Sequence, residues 1–544
     1  MSNPIPWHPT PDTPLPAVTA DAKPPGRWRS GRNRNSGGKA GLGPDPTKLG
    51  ILPAAAPVPL WVWGGVLGLI FWGAFTPNFL LTFGGALVLP LLFKLLWRQG
   101  EVPLLLFSCF FQWLQVVVPL IIANYYGQTL EAHFGIPLRS EATWLGLMGV
   151  AVFAVGLRLA LSGCVRSIGP TVEKEVAGFS IQRLLLAWGV ALGVAIPIEI
   201  ICRLIPGLAQ ILIPISWFKT GIVFLLGYAV VRQQRGYAVF DLVIVAEFAM
   251  GTLGFFSGFK VVFIVLLLLL ITTTREWNLR VALIYLALVA AAFASGTVWS
   301  AIKPGYRDFL NQGSGQQEVV VPVAQRLDYL ATNIRAMDEA EFSDGFETTL
   351  ERIGYTQFFA DTLMKVPLEV PYEHGRLWWD AVSRPFMPRL LFPDKLAAND
   401  SDRTRKYATP DVAGVEEGTS IGLGYMAESY VDFGPVFMFV PIFLLAQLFG
   451  LAFRYFVLRP GMGAWGYVIA FAMPFASTST FESSNIKLVG PVISCAIMFW
   501  PLDHYFGESI KAWLRGGAAP SPRQSRRKRR LGQGAGTRSL EPEL

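Results

Sequence analysis

The sequence predicts an all-α integral membrane protein of about twelve transmembrane helices carrying one large water-facing loop. Three observations predict it. Hydrophobic residues make up 52% of the chain and charged residues only 15%, far from the balance of soluble domains. Apolar runs long enough to cross a bilayer recur from Val58 onward, separated by short polar turns. Between residues 302 and 434 those runs stop, and most of the charge outside the tails collects there. Four cysteines (Cys109, Cys164, Cys202, Cys495) sit in or beside apolar runs without metal-ligand spacing, so no disulfide framework is implied.

Residues 1–55 are rich in Pro, Gly, Asn and basic residues and poor in branched apolar ones, the composition of a disordered tail. No charged, apolar and cleavable segments occur together near the start, so no cleaved signal peptide is expected and the first apolar helix acts as its own insertion signal. Residues 56–301 hold the first nine helices, expected near 58–76, 79–97, 103–123, 143–161, 183–202, 208–231, 239–257, 260–274 and 281–301. The run 239–274 is broken at Ser257-Gly258, which favours two short helices over one long tilted one. Helices ten to twelve follow the loop at 435–458, 462–479 and 487–506, within residues 435–506, and 507–544 is a second basic tail.

Lys and Arg placement orients the chain. Arg98, Arg158, Arg232, Arg235, Arg275, Arg280, Arg454 and Arg459 fall on the side of both tails, which is therefore inside, and the 302–434 loop falls outside. Nucleotide sugars and ATP are absent from that outer face. The net charge of +8 sits mostly in the tails, which lack the interleaved aromatics of a nucleic-acid platform and fit anionic lipid headgroups instead. Within the loop, Val323, Leu327, Leu330, Ile334 and Met337, and then Phe346, Leu350 and Ile353, recur at helical spacing. They predict two amphipathic helices lying on the membrane face or over the bundle.

Three cations break the orientation pattern: Arg203, Lys260 and Lys487 each end a helix on the outer face. Each alone is explained by snorkelling, and Glu199 is placed to pair with Arg203. Together with Arg384 and Arg389 in the loop, they form a candidate pocket for a multiply charged anion, since guanidinium forks suit phosphate oxygens and Lys supplies a point charge. For proton transfer the candidates are His374 and the carboxylates Glu373, Glu428 and Asp432, with Glu428 preferred because it opens a helix at the bundle mouth. Each of these is equally a solvated loop charge. Asp400-Ser-Asp402 has a metal-and-nucleotide form but lies on the face without nucleotide sugars. Lys219 and Glu247 fall at similar depth in consecutive helices, where a structural pair is favoured and a transporter's proton relay would look alike. No phosphate loop, zinc-protease helix or hydrolase elbow occurs.

The basic Pro-rich segment Arg384-Pro-Phe-Met-Pro-Arg389, Phe392-Pro-Asp-Lys395, Ser420 and Glu428-Ser-Tyr-Val-Asp-Phe-Gly434 together resemble the large loop of the Wzy-type oligosaccharide repeat-unit polymerases (O-antigen polymerases) of bacterial envelopes. Ser257-Gly-Phe-Lys260 is similar to a Ser-Gly-x-basic element through which those polymerases and O-antigen ligases address a lipid-linked donor. Arg403 and Gly414 match an R-x10-G spacing described for the polymerases, as do Arg158 and Gly169 on the inner face. The resemblance implies a fold like that of the C-type glycosyltransferase superfamily and a place in the bacterial inner membrane. It implies transfer of a growing glycan from polyprenyl pyrophosphate to a lipid-linked repeat unit, with no cofactor or metal, clustered cations neutralising the leaving group. Membrane lipids, a chain-length regulator and a flippase of the same pathway are the implied partners, and nucleic acid is not. The alternatives are an O-antigen-ligase-like transferase, a polysaccharide or lipid-linked sugar transporter, and a non-enzymatic envelope assembly factor.

Overall fold

A computed structural model describes residues 57–163, 167–204, 209–254, 258–314, 319–387, 392, 395, 399–410 and 420–517. The described residues form helices and connections, with no strand among them. The first half contains α1 (Leu60–Gly73), α2 (Phe79–Leu96), α3 (Leu104–Tyr125), α4 (Leu130–Phe134), α5 (Arg139–Ala160), α6 (Gly169–Ala177), α7 (Ile181–Leu204), α8 (Ala209–Ser216), α9 (Phe218–Gln233), α10 (Tyr237–Thr252) and α11 (Lys260–Thr273). A long α12 (Leu279–Asn311) leads to five shorter helices: α13 (Val323–Ala336), α14 (Glu339–Ile353), α15 (Gln357–Lys365), α16 (Arg376–Ser383) and α17 (Asp400–Tyr407). The chain then returns to apolar helices through α18 (Tyr425–Phe437), α19 (Phe439–Phe453), α20 (Gly463–Phe471) and α21 (Asn485–Leu514).

Eight stretches among the described residues are long and apolar enough to cross a membrane: α2, α3, α5, most of α7, Pro214–Gln233, α12, Phe439–Leu458 and α21. The protein is therefore an all-α, multi-pass membrane protein. α1 and α11 are apolar but only 14 residues each, and α10 has 16. The run 239–274 forms two helices, α10 and α11, as expected, and Ser257 itself lies outside the described residues.

The bundle core is packed by removing side chains where helices must meet. A Cβ on Gly156 of α5 would lie 2.7 Å from Ala446 Cβ, and one on Gly450 of α19 would lie 2.5 Å from Ala160 Cβ, so only hydrogen fits at either place. Gln447 Nε2 donates to Gly156 O at 2.7 Å, and the Phe153 and Phe449 rings meet edge-on at 5.7 Å. A different surface faces outward on α12, where Leu279, Leu283, Ile284, Leu286 and Val289 are exposed, as lipid-facing residues are.

Two elements depart from the periodicity reading for physical reasons. The span expected at 462–479 is helical only to Phe471, then turns through Pro474–Ala476 and runs non-helically to Ser484. Pro474 removes a helix donor, and the Ser/Thr run that follows offers the backbone local alternatives to helix. Thr480, Phe481 and Ser484 are buried, so this irregular backbone lies inside protein, not against lipid. The helix expected to end at residue 301 continues to Asn311, because Trp299, Tyr306 and Leu310 pack with Phe259 and Leu330 into a second apolar cluster. The two amphipathic helices of the loop form as α13 and α14.

Candidate functional site

Glu428 stands in the first turn of α18, and three hydrogen bonds fix that helix. Tyr425 OH donates to Gln112 Oε1 at 2.7 Å, Ser429 Oγ to Tyr425 O at 2.6 Å and Tyr430 OH to Val366 O at 3.0 Å. Gly424, with φ +89°, brings the backbone so close to residue 481 that a Cβ would lie 2.8 Å from Phe481 O. The result sets Glu428, fully buried, against the N-terminus of α21. Asn485 N donates to Glu428 Oε2 at 2.8 Å, so the carboxylate satisfies one of that helix's free amides.

The other oxygen of Glu428 meets Arg403 of α17. Arg403 Nη1 lies 3.0 Å from Glu428 Oε1, and its Nη2 lies 2.6 Å from Asp380 Oδ2. Asp380, on α16, accepts from Arg384 Nε at 2.8 Å through its second oxygen. One chain of alternating charge thus runs Arg384, Asp380, Arg403, Glu428. Burial pushes the Glu428 carboxyl up to about 7, against the pull of Arg403 and the Asn485 amide. α17 is held in place by Ser401 Oγ, which accepts from Ile421 N at 3.0 Å, and by Thr404 Oγ1, which donates to Ile421 O at 2.9 Å.

Beside Glu428 lies a group of buried polar side chains. Both polar atoms of the Asn485 side chain and the Ser484 hydroxyl are buried with no hydrogen-bond partner among the described residues. Lys487 Nζ is 2.6 Å from Asp400 Oδ2 and donates to Ser420 Oγ at 3.2 Å. Asp400 is buried while Asp402 points outward beside Arg405, so the two do not share a site. Among the described residues no three His, Cys, Asp or Glu side chains converge as metal ligands.

A second cluster collects where α11, α12 and α14 meet. Lys303 and Arg307 are one turn apart on α12. The Phe259 ring meets Trp299 at 5.7 Å and so sets Lys260 beside that turn. Thr349 Oγ1 donates to Ser300 Oγ at 2.9 Å, which brings Arg352 of α14 to the same place. Lys303 feels the repulsion of Arg352, Arg307 and Lys260 together. Glu482, in the non-helical run before α21, attracts both Lys260 and Lys487 and so joins this cluster to the first.

Of the residues singled out in the sequence, Glu428, Lys487 and Arg384 come together, and Lys260 is joined to them through Glu482. Arg203 ends α7, and its side chain, like that of Glu199, lies outside the described residues, as does Arg389. His374 is exposed at a left-handed turn, φ +51°, and no hydrogen bond among the described residues joins it to Glu428 or Arg403. Asp432 caps α16, accepting from Leu377 N at 3.1 Å and Trp378 N at 2.9 Å. Glu373 accepts from Lys406, Tyr407 and Arg376, which overcome its burial and hold it at about 2. Lys219 and Glu247 pair at 2.7 Å, with Trp188 Nε1 donating to the same carboxylate at 2.7 Å. Sequence reasoning missed Asp380, Lys303, Arg307, Arg352 and Glu482 as site residues. The spacing of Lys303 and Arg307 at i, i+4 was the available signal for two of them, hidden by ending the helix at 301.

No curated protein and no solved structure matches the chain. A family model matches residues 145–460, more than half of the chain, from within α5 through α19; it takes in Lys260, Lys303, Arg307, Arg352 and the chain from Arg384 to Glu428, and stops short of Glu482, Asn485 and Lys487. The chain belongs to that family, described as domain of unknown function DUF8712.

Proposed function

We propose that the protein polymerises polyprenyl-pyrophosphate-linked oligosaccharide repeat units into a cell-surface or exported polysaccharide, acting in a bacterial inner membrane. In this reading both tails are cytoplasmic and α13–α17 face the periplasm. The twelve-span count is reached by adding α1, α10, α11 and α20 to the eight long spans. The carrying observation is the gathering of Lys260, Lys303, Arg307 and Arg352 from three helices beside the Glu428 chain. Positive charge at one helix end belongs where a diphosphate must be held and then released.

The proposed reaction uses that placement. An acceptor sugar hydroxyl attacks the anomeric carbon of the donor glycan. A new C–O bond forms while the bond from that carbon to the pyrophosphate oxygen breaks, and polyprenyl pyrophosphate leaves with the bonding pair. The four cations and Lys487 stabilise the charge that develops on the leaving oxygen. The hydroxyl proton goes to Glu428, which with a pKa near 7 accepts it at neutral pH and exchanges its Arg403 contact for the hydroxyl. Arg403 keeps Asp380 throughout.

The test is polymer formation in proteoliposomes supplied with a polyprenyl-pyrophosphate-linked repeat unit. Lys303→Ala and Arg352→Ala, each confirmed as inserted, are expected to lose roughly 10²–10³-fold of the rate. Polymer at the normal rate from both removes the donor site. Glycan moved only to a different acceptor makes the protein a ligase, and glycan moved across the membrane unchanged makes it a transporter.

A further inference from the structure

One guanidinium serves two carboxylates in unlike surroundings, and it does not serve them equally. Arg403 reaches Asp380 Oδ2 at 2.6 Å through Nη2 and Glu428 Oε1 at 3.0 Å through Nη1. The Glu428 side chain is wholly buried, whereas that of Asp380 is 32% exposed. The carboxylate with no water to turn to thus receives the longer contact.

The helix that bears Glu428 also fixes its competitor. Asp432 of α18 accepts from Leu377 N and Trp378 N, and Ser429 Oγ accepts from Trp378 Nε1, so α18 holds the first turn of α16. Asp380 follows within a turn of those amides, and Arg384 Nε occupies its other oxygen at 2.8 Å. Asp380 therefore lies between two guanidinium groups and shares one of them with Glu428.

The other charges around Glu428 are engaged elsewhere. α17 also brings Asp400, whose charge opposes ionisation of Glu428 and which pairs with Lys487 of α21 at 2.6 Å. Glu482, ahead of α21, is drawn to Lys487 as well. On α16 and α17, Arg376 and Lys406 meet at Glu373, and Arg405 lies 3.7 Å from Asp402. α15 and α5 pack on α18 too, but Lys365 donates to Arg405 O, Arg139 donates to Thr356 Oγ1, and Asp361 is drawn to Arg139. Among the described residues, Arg403 is the one cation paired with Glu428, and Asp380 is the one other carboxylate paired with Arg403.

We propose that Asp380 is a positioning residue: by holding one side of the Arg403 guanidinium it keeps Arg403 and Glu428 from closing as an exclusive ion pair, and so leaves Glu428 able to take up a proton. A carboxylate closed on a cation of its own stays ionised and makes a weak base. When a hydroxyl proton moves to Glu428, Arg403 turns wholly to Asp380, so the guanidinium, only 14% exposed, is never left without a counter-charge. The source of that proton rests on the polymerase reading above. The effect of Asp380 on Glu428 rests on the shared guanidinium alone.

Infrared titration of the full-length protein in nanodiscs tests that effect apart from catalysis. The C=O stretch of the protonated Glu428 carboxyl is assigned by its loss in Glu428→Gln and followed against pH. Asp380→Asn keeps an oxygen for the guanidinium but removes the charge, so the midpoint is expected to fall by about one pH unit. Arg384→Met removes the cation on the far side of Asp380, strengthens its pull on Arg403 and should raise the midpoint. A merely structural Asp380 gives no such opposition of sign. An unmoved or raised midpoint in Asp380→Asn, with thermal melting showing the fold intact, overturns the proposal. If that variant has lost its fold, a midpoint that fails to rise in Arg384→Met overturns it instead. The pH profile of polymer formation should move with the infrared midpoint. Midpoints that move as expected in a protein that makes no polymer keep the role of Asp380 and remove the polymerase reading. Polymer made with unmoved midpoints does the reverse.

Discussion

The two ends of the helix bundle hold their charges in opposite ways. At the end marked by Arg232, Arg275 and Arg459, carboxylates and cations are matched. Glu173 takes Arg232 at 3.2 Å and Arg275 at 2.6 Å, Asp503 takes Arg459 at 2.5 Å, and Glu175 takes Arg515 at 3.2 Å while accepting from Ala464 N at 2.9 Å. Lys511 is bound by Glu508 and by Gly461 O. At the opposite end Lys260, Lys303 and Arg352 gather, and no ion pair among the described residues involves them. Ion pairs that are complete hold helices together and ask for nothing more. Like charges brought together by packing cost stability, which is why the proposed function places an anion there.

Arg403 is where that contrast breaks most sharply. It serves two carboxylates, and one of them, Glu428, is fully buried. Arg403→Ala leaves a buried carboxylate without its cation, a change that costs about 3–5 kcal/mol in comparable buried pairs. Thermal melting should show that loss, and polymer formation should vanish with it. Arg403→Lys keeps a charge but cannot reach both carboxylates as a fork does, so partial stability with little activity is expected. At the other end Arg275→Ala, whose side chain is 65% exposed, should change melting by less than about 1 kcal/mol. Equal effects at both ends would dissolve the distinction.

Glu428 sharpens it through pH. Its native pKa is raised to about 7 from an ordinary 4.5. Between those values the folded protein holds a proton that the unfolded chain releases, so stability from this group falls as pH rises across that window. Glu428→Gln cannot titrate. The melting difference between variant and parent should therefore grow in the variant's favour from pH 5 to pH 8. Activity should rise with pH through about 7 in the parent and be lost in the variant, because the base is gone. A flat melting difference would place the Glu428 proton elsewhere.

Much of this was legible in the sequence, and the rest was not for identifiable reasons. Long apolar runs and the amphipathic spacing of residues 323–337 translate directly into helices, because burial periodicity is local information. Lys487 stood out as a cation at an outer helix end, Glu428 as a carboxylate opening a helix, and Arg384 through the basic Pro-rich segment of the loop. Asp380 and Arg352 did not, since they sit in polar segments where charge is ordinary; only the folded chain sets Arg352 of α14 beside Lys303 of α12, and Arg403 of α17 against Asp380 of α16. Arg403 matched a spacing pattern that an ordinary glycine content satisfies by chance, so its place between two carboxylates could be found only in three dimensions. The broken helix after Phe471 was hidden for a different reason. Its Ser/Thr residues are tolerated in spans, and Pro474 alone does not say whether a helix kinks or stops.

The smallest expected effect concerns Trp378 and Trp379, neighbours in sequence that the fold treats differently. Trp378 is half-buried, and its Nε1 donates to Ser429 Oγ at 3.0 Å, one residue from Glu428. Trp379 is 73% exposed on the outer side of α16. Trp378→Phe gives up that hydrogen bond and some contact area, about 1 kcal/mol, which lowers melting modestly and loosens the α16–α18 contact that sets Asp380 against Arg403. Trp379→Phe keeps an aromatic ring of similar reach at the surface, so melting should stay within about 0.5 kcal/mol of the parent and polymer length should not change. The pair then divides into an internal strut and an interfacial anchor. Shortened polymer from Trp379→Phe, with melting unchanged, would make that ring a platform for the glycan.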